Sequence, residues 1–222
     1  MMPNAAIAEF LRVDNLARKR TFPDAATLQV FAPPQGEYQL NPQLARKLLK
    51  VMLTSRQADS REHSLMRQGK GWFHIPAMGH EAFAALALHM QQHDYCFPMY
   101  RDRSLVLARG MTNLDLAREF FATRNSQNGG RQLPGHYNHR ALNIWSHPSP
   151  SGSHLLPACG VAWGLQRDGS DGIVVVTIGD AATRQGDFYE ALCIAKSINC
   201  PSCSSSKITA SASAHERAKP TP

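Results

Sequence analysis

The sequence lacks the features that would assign it at once to a membrane or nucleic-acid-binding class. No stretch of the 222 residues is apolar over the length that a membrane-spanning helix requires. The 24 Lys and Arg residues give a net charge of +7, but they are scattered, without a dense basic run or interleaved aromatic residues. We therefore expect neither a membrane protein nor a nucleic-acid-binding protein.

The five cysteines are odd in number and mostly lie in apolar surroundings, which favours buried reduced thiols over a disulfide framework. Cys200 and Cys203 have the spacing of half a zinc or redox site, but no second pair and no nearby histidine completes one. The first residues also lack the pattern of a signal peptide. We expect a cytoplasmic protein.

The composition divides the chain into three parts. Residues 1–40 are rich in Pro, Gly and Asn and are interpreted as an N-terminal arm. Residues 41–201 have the hydrophobic content of one α/β domain, whereas residues 202–222 consist mainly of Ser, Ala, Lys and Pro with a single Ile. This last part cannot bury enough apolar surface to fold alone, so we predict a disordered tail.

Apolar periodicity predicts a series of helices between residues 41 and 166. The first begins at Asn41 and Pro42 and ends near Gly69, and a second begins near Gly79. Three shorter helices are predicted at residues 105–109, 114–121 and 160–166. Residues 125–150 have almost no periodicity and form a predicted long loop, which in a compact domain is usually functional.

The most informative segment is residues 173–192, which reads as a buried strand, a tight acidic turn and a helix. The β-branched run at 173–178 suits a strand covered on both faces, and parallel sheets built from such strands bind ligands at the carboxyl ends of the strands. Gly179 permits a sharp turn, Asp180 offers the hard oxygen that Mg²⁺ selects, and Ala181 and Ala182 leave backbone amides open to phosphate. This pattern predicts a Mg²⁺–diphosphate site. The alternative is that Gly-Asp only ends the strand and Asp187 caps the helix.

Five motifs in order then identify a family. The chain resembles the α subunit of thiamine-diphosphate-dependent 2-oxoacid dehydrogenases, and within that group it is most similar to the branched-chain, 2-oxoisovalerate type. The motifs lie at residues 78–82, 99–102, 130–134, 149–151 and 179–188. The resemblance implies a Rossmann-like thiamine-diphosphate-binding fold, with a parallel sheet flanked by helices, that is incomplete at its C-terminus.

The resemblance also implies which residues bind the cofactor. Arg101 would donate charge-assisted hydrogen bonds to the diphosphate, and Asp180 would coordinate Mg²⁺. The implied cofactor-binding residues are Tyr100, Arg101, Ser149, Ser151, Gly179, Ala181 and Ala182. Read without the other motifs, the Tyr-Arg-Asp sequence is a surface loop with a local ion pair, and Ser-Pro is a turn.

Three residues are candidate catalytic groups by the same resemblance. His136, in the long loop, could donate a hydrogen bond or a proton to the 2-oxoacid, although a loop histidine bonded to backbone is the alternative. Glu81 could belong to an acid network at the subunit interface, or simply lie on a helix surface, and His74 has similar standing. Ser153 and His154 occupy positions where relatives hold a structural K⁺.

The implied reaction belongs mainly to the cofactor, whose thiazolium carbon attacks the 2-oxo carbon and accepts electrons as CO₂ leaves. In this family the glutamate that activates the cofactor comes from a β subunit, so the site forms only in an α₂β₂ heterotetramer. A lipoyl-bearing acyltransferase core then receives the acyl group.

The sequence departs from the family after Pro201. Relatives complete the Mg²⁺ site with an Asn side chain and a backbone carbonyl about thirty residues beyond the acidic ligand. Here that region is Ser- and Ala-rich, so we predict that no strand follows Pro201 and that the reading frame was lost or the chain truncated there. The isolated chain should then bind thiamine diphosphate weakly or not at all.

The function that these patterns indicate is oxidative decarboxylation of branched-chain 2-oxoacids, with transfer of the acyl group to lipoyl. One alternative is a catalytically silent fragment that only binds a β subunit. Another is a general Mg²⁺–nucleotide binder, but the sequence has no Walker-type Gly-Lys-Ser/Thr loop.

Overall fold

The computed structural model describes residues 41–198 and 208–213, and it places helices around a three-stranded parallel sheet. The predicted arm at 1–40 lies outside the described residues, as do Cys200, Cys203 and the predicted tail apart from residues 208–213. The α/β class expected from the sequence is confirmed within the described ranges.

The first helix, α1 (Pro42–Arg67), begins and ends as its sequence predicts. The Asn41 side chain caps it by accepting hydrogen bonds from the amides of Gln43 and Leu44, at 3.0 and 3.2 Å. Pro42 occupies the first turn, where no backbone donor is needed. After the helix, Gly69 adopts a positive φ of 68°, which a glycine accommodates without strain.

The middle of the chain contains short elements. Residues Glu81–His89 form a 3₁₀ helix where the sequence predicted an ordinary helix. Strand β1 (Tyr95–Phe97) follows, then helices α2 (Arg103–Arg109) and α3 (Asn113–Phe120). Thr112 and Asp115 form a reciprocal capping box that fixes the start of α3. Gly110 ends α2 just before it.

The long predicted loop is largely confirmed, since it contains only a short 3₁₀ turn at Arg140–Leu142 and isolated bridges from Ile144 to His139 and Cys96. Helix α4 (Leu155–Arg167) then leads to strand β2 (Val174–Gly179). A 3₁₀ turn at Ala181–Arg184 separates β2 from helix α5 (Gly186–Ile198).

The last described element is strand β3 (Ile208–Ser213), which pairs in parallel with β2 from Val174 opposite Ile208 to Gly179 opposite Ser213. The prediction that no strand follows Pro201 is therefore wrong. The prediction relied on low apolar content, but ladder pairing uses backbone groups that every residue except proline supplies. Strand β2 lies at the centre of the order β1–β2–β3.

The core lies on both faces of the sheet. On one face Val174, Val176 and Ile178 of β2 pack with Phe97 of β1 against helices α4 and α5. On the other face Cys96 packs with residues of α2, α3 and the long loop. Strand β2 is thus buried on both sides, as its continuous β-branched run predicts.

Among the helices of the described ranges, none combines the length and the apolar character that crossing a bilayer requires.

Candidate functional site

A cavity of about 610 Å³ opens at the carboxyl end of β2, the edge at which parallel sheets usually bind ligands. We call it the sheet-end cavity. Its walls come from the segment before the first 3₁₀ helix, the loop after β1, the start of α4 and the turn after β2. The described lining residues are Pro76, Met78, His80, Met99, Tyr100, Arg101, His147, Ser151, Gly152, His154, Ile178, Gly179, Asp180, Ala181, Ala182 and Gln185.

The loop after β1 is fixed to the sheet by Asp102 and Thr177. The Met99 amide donates to Asp102 Oδ2 and to Thr177 Oγ1, both at 2.8 Å, and the Thr177 hydroxyl donates to the same Asp102 oxygen. Burial raises the pKa of Asp102 to about 6, although these two hydrogen bonds oppose the shift. The loop therefore presents Tyr100 and Arg101 from a rigid base.

Arg101 has spare donors that face the cavity. One terminal nitrogen, Nη1, donates to the carbonyl oxygen of Pro76 at 2.9 Å, and the guanidinium carbon lies 5.1 Å from the centre of the Tyr100 ring. Among the described residues Arg101 makes no other hydrogen bond and no ion pair. The remaining N–H groups can therefore bind an anion such as a phosphate.

The acidic turn presents the other half of the site. The Asp180 side chain is exposed, lines the cavity, and has no hydrogen bond or ion pair with any described residue. Ala181 does not have a positive φ, so alanine fits where glycine would also serve. The sequence placed these residues at the start of an α-helix, whereas they form a separate 3₁₀ turn. A 3₁₀ turn, rather than the first turn of a long α-helix, therefore lines this part of the cavity.

The cavity wall at the start of α4 approaches the acidic turn closely. Gly152 has a φ of +89°, and a Cβ there would lie 3.5 Å from the Cβ of Gln185. Ser151 beside it also lines the cavity, and its role in binding a cofactor stays a prediction.

His136 and Ser149 lie behind the described lining residues rather than among them. Their side chains meet, with His136 Nε2 2.9 Å from Ser149 Oγ. The His136 ring centre is 5.5 Å from that of His147, which does line the cavity. Burial, together with the neighbouring His154 and His136, lowers the pKa of His147 to about 3, so its imidazole is neutral at ordinary pH.

Glu81 is also absent from the described cavity lining. Its carboxylate accepts from Arg56 Nε and from the Gly79 amide, the latter at 2.9 Å. Burial favours a higher pKa for Glu81, but the hydrogen bonds from Arg56 and the local amides outweigh it, and the net pKa is lowered. Glu81 is thus an ionised group that holds the chain before the first 3₁₀ helix.

The two residues considered for K⁺ have backbone partners. The Ser153 hydroxyl donates to the Pro150 carbonyl at 2.9 Å, and His154 Nε2 lies 2.8 Å from the Thr177 carbonyl. The Thr177 residue therefore contacts both the loop after β1 and the start of α4.

Sequence reasoning missed several lining residues. His80 belongs to the first motif and could have been found there, but only Glu81 was singled out. His147 had no comparable signal, because it lies in an aperiodic loop whose path the sequence does not specify. Met99 and Gln185 lie inside the motifs at 99–102 and 179–188 and could have been found there too, whereas Gly152 depends on tertiary contacts.

The fold and the cavity define an α/β protein with a candidate ligand site at the ends of parallel strands, where the Asp180 carboxylate and all but one nitrogen of the Arg101 guanidinium have no hydrogen bond among the described residues. Comparison with known proteins gives the family. A family model described as the dehydrogenase E1 component matches residues 49–216, which is more than half of the chain and extends past Pro201. The chain belongs to the dehydrogenase E1 component family.

Individual relatives agree with this assignment. The chain is 33% identical over 164 residues to the 2-oxoisovalerate dehydrogenase subunit alpha 2, mitochondrial, of Arabidopsis thaliana, covering 73% of this chain and 35% of that protein. It is 39% identical over 155 residues to the 2-oxoisovalerate dehydrogenase subunit alpha of Bacillus subtilis (strain 168), covering 68% and 47%. It is 31% identical over 156 residues to the pyruvate dehydrogenase E1 component subunit alpha of Staphylococcus aureus (strain Mu50), covering 70% and 40%. The chain spans less than half of the length of each.

Proposed function

We propose that the chain acts as the α subunit of a 2-oxoacid dehydrogenase and that the sheet-end cavity holds the diphosphate of thiamine diphosphate with Mg²⁺. One observation carries this proposal: at one edge of the sheet the cavity brings together the Asp180 carboxylate, unbonded among the described residues, and the Arg101 guanidinium, of which Nη1 alone is bonded there, to Pro76. The cofactor, the metal and the reaction are all part of the proposal.

The side chains present suit these ligands. An exposed carboxylate without a protein partner supplies the hard oxygen that Mg²⁺ prefers, and diphosphate oxygens supply more. Arg101 offers directed donors to the diphosphate, and the methyl side chains of Ala181 and Ala182 leave space beside the turn. Ser153 and His154 already bond to backbone carbonyls, so K⁺ is not part of the proposal.

Each residue is given a role that follows from its position. When bound, thiamine diphosphate would supply the electron sink for decarboxylation. Tyr100 and Ser151 would line the cofactor, whereas Ser149 and His136 reach the cavity only through neighbours and would orient its His147 wall. Glu81 would hold Gly79 and so support the opposite wall.

We propose branched-chain 2-oxoacids as substrates, because two relatives named as 2-oxoisovalerate dehydrogenase α subunits are 33% and 39% identical to this chain, against 31% for the pyruvate dehydrogenase subunit. The partners would be a β subunit, in an α₂β₂ assembly, and a lipoyl-bearing acyltransferase core. These partners complete the reaction by supplying the remaining groups of the site and the acyl acceptor.

The test is cofactor binding and decarboxylation by the chain co-expressed with the β subunit of its own source. Asp180→Asn removes the metal-binding charge, so we expect Mg²⁺-dependent affinity for thiamine diphosphate to fall at least roughly tenfold, the scale of one charged interaction. Glu190→Gln is the matched control, since Glu190 is exposed on α5 and lies outside the described lining of the cavity.

Equal affinity in Asp180→Asn and the control would contradict the proposed metal ligand. Substrate choice is measured as kcat/KM for 3-methyl-2-oxobutanoate against pyruvate. A preference for pyruvate would refute the branched-chain assignment while leaving the family unchanged.

A further inference from the structure

A second group of ionisable side chains lies behind the cavity, and we call it the carboxylate–histidine cluster: Asp59, Glu62, His74 and Arg103. His74 Nε2 is 3.2 Å from Asp59 Oδ1, and His74 Nδ1 is 3.3 Å from Glu62 Oε2. The three side chains are 7%, 1% and 9% exposed for His74, Asp59 and Glu62, so their contacts are shielded from water. His74 thus bridges two carboxylates on successive turns of α1.

The cluster is tied to the rest of the fold at both ends. Glu62 Oε1 accepts from Arg103 Nη2 at the start of α2. At the other end, Asp59 accepts from the Ala77 amide at 3.1 and 3.2 Å and from the Met78 amide at 3.2 Å. The cluster therefore anchors backbone groups that are 18 and 19 residues distant along the chain.

The anchored backbone is a wall of the sheet-end cavity. Pro76 and Met78 line the cavity, and the Pro76 carbonyl accepts the hydrogen bond from Arg101 Nη1. Between them, Ala77 is buried, with 2% exposure. The position of the Arg101 guanidinium thus depends on a short segment, residues 76–78, that Asp59 holds from behind.

The side-chain atoms of the carboxylate–histidine cluster already have partners that disfavour a metal site. The ligand atoms of Asp59, Glu62 and His74 lie within 4.8 Å of one another, which geometry alone would allow a metal ion to use. However, each of the four carboxylate oxygens already has a donor or the imidazole beside it, and Arg103 brings a cation into the cluster. Each carboxylate oxygen is thus occupied, whereas His74 Nε2 and Arg103 Nη1 make no hydrogen bond among the described residues, so the imidazole is held by its ion-pair distances to the two carboxylates.

We propose that His74 is a positioning residue for the anion-binding side of the cavity: by bridging Asp59 and Glu62 it fixes segment 76–78 and, through the Pro76 carbonyl, the guanidinium of Arg101. This inference rests on the proposed function for its consequence, since a fixed Arg101 serves diphosphate binding. The positioning itself is a property of the chain and can be measured without any ligand.

The first experiment measures amide hydrogen exchange at Ala77 and Met78 in His74→Ala and in the conservative His74→Gln, which keeps one side-chain donor. Val106→Ala, in the core on the other side of α2, is the control for general loss of stability. We expect faster exchange at these two amides in His74→Ala, a smaller increase in His74→Gln, and no local increase in Val106→Ala. Unchanged local protection in both His74 variants would overturn the inference.

The second experiment measures thiamine diphosphate affinity, with Mg²⁺, in complexes with the β subunit. Loss of a supporting contact of this kind weakens ligand binding by roughly tenfold, so we expect that change in His74→Ala and partial rescue in His74→Gln. The kcat at saturating cofactor should stay within about twofold of wild type, because His74 touches no reacting group. A fall in kcat with unchanged affinity would contradict positioning.

Two further outcomes separate the possibilities. If the wild-type complex binds no thiamine diphosphate, the proposed function fails, while the amide exchange still decides whether His74 positions the wall. If Zn²⁺ binds the wild-type chain and binding disappears in His74→Ala, the cluster is a metal site and the inference is overturned.

Discussion

The sheet-end cavity and the carboxylate–histidine cluster both contain carboxylates and an arginine, but the two regions use these groups in opposite ways. In the cavity, the Asp180 carboxylate and most of the Arg101 donors have no partner among the described residues, and both groups reach solvent. In the cluster, Asp59 and Glu62 are buried: Asp59 accepts hydrogen bonds on both oxygens, and Glu62 has Arg103 on one oxygen and His74 Nδ1 at 3.3 Å from the other.

This difference separates groups that are available to bind a ligand from buried groups that stabilise the fold. An exposed charge keeps its hydration until a ligand replaces it, so it adds little to folding and much to recognition. A buried charge is tolerated only when its hydrogen bonds are made, so it adds to structure and binds nothing new. Removing one group of each kind should therefore give opposite results.

The largest expected effect is on stability, at Asp59. Asp59→Ala leaves the Ala77 and Met78 amides without their acceptor and the His74 imidazole without the carboxylate beside it, and breaking such a buried arrangement costs about 3–5 kcal/mol. Asp180→Ala should change the free energy of unfolding by no more than about 0.5 kcal/mol, as expected for an exposed site. Urea unfolding of both variants measures this contrast, and similar losses would remove the distinction.

The next effect is pH-dependent and arises at Glu119, which faces the same region as Arg103 and Glu62. Burial raises the pKa of Glu119 to about 8, Asp115 adds to the rise and Arg103 opposes it, and neither carboxylate oxygen has a hydrogen bond among the described residues. The folded chain therefore binds a proton that the unfolded chain has released above its ordinary pKa, so this group makes the fold less stable as pH rises.

Glu119→Gln removes that dependence. Relative to wild type, the variant should gain about 3 kcal/mol of stability between pH 5 and pH 8. Unfolding curves of both proteins at several pH values measure the difference. A constant difference across this range would show that Glu119 is satisfied like Asp59 and would weaken the contrast between bonded and unbonded buried carboxylates.

The smallest effect tests the open side. Arg101→Gln retains a side-chain donor for the Pro76 carbonyl but loses the charge, so affinity for thiamine diphosphate in the complex with the β subunit should fall by roughly tenfold. Arg124→Gln, at an exposed position outside the described cavity lining, should bind as wild type does. Calorimetric titration distinguishes them. A loss of stability in Arg101→Gln like that of Asp59→Ala would place Arg101 with the structural groups.

The sequence predicted the elements whose signals are local. The cap at Asn41, the β-branched run of β2 and the turn at Gly179 and Asp180 each depend on residues adjacent in the chain, and each was found where expected. Tyr100, Arg101 and Ser151 were placed in the site by their motifs, and the cavity contains all three. Motif order was informative because the motifs end elements that the parallel sheet brings to one edge.

What the sequence could not predict depends on contacts between distant segments. The partnership of His136 with Ser149, and the burial of His147, follow from how a loop without periodicity packs. The bridge from Asp59 to Ala77 joins a helix face to a segment that no pattern marks. Strand β3 was missed because backbone pairing leaves no mark in side-chain polarity.

Thr177 is a common attachment point for two walls of the cavity. Its hydroxyl is bonded within the Met99–Asp102 corner, and its carbonyl oxygen lies 2.8 Å from His154 Nε2 at the opposite wall. The loop after β1 and the start of α4, which line different sides of the cavity, are thus both bonded to one residue of the central strand. The spacing of the two walls is therefore fixed before a ligand binds. Because little of the chain has to become ordered on binding, more of the contact energy contributes to affinity.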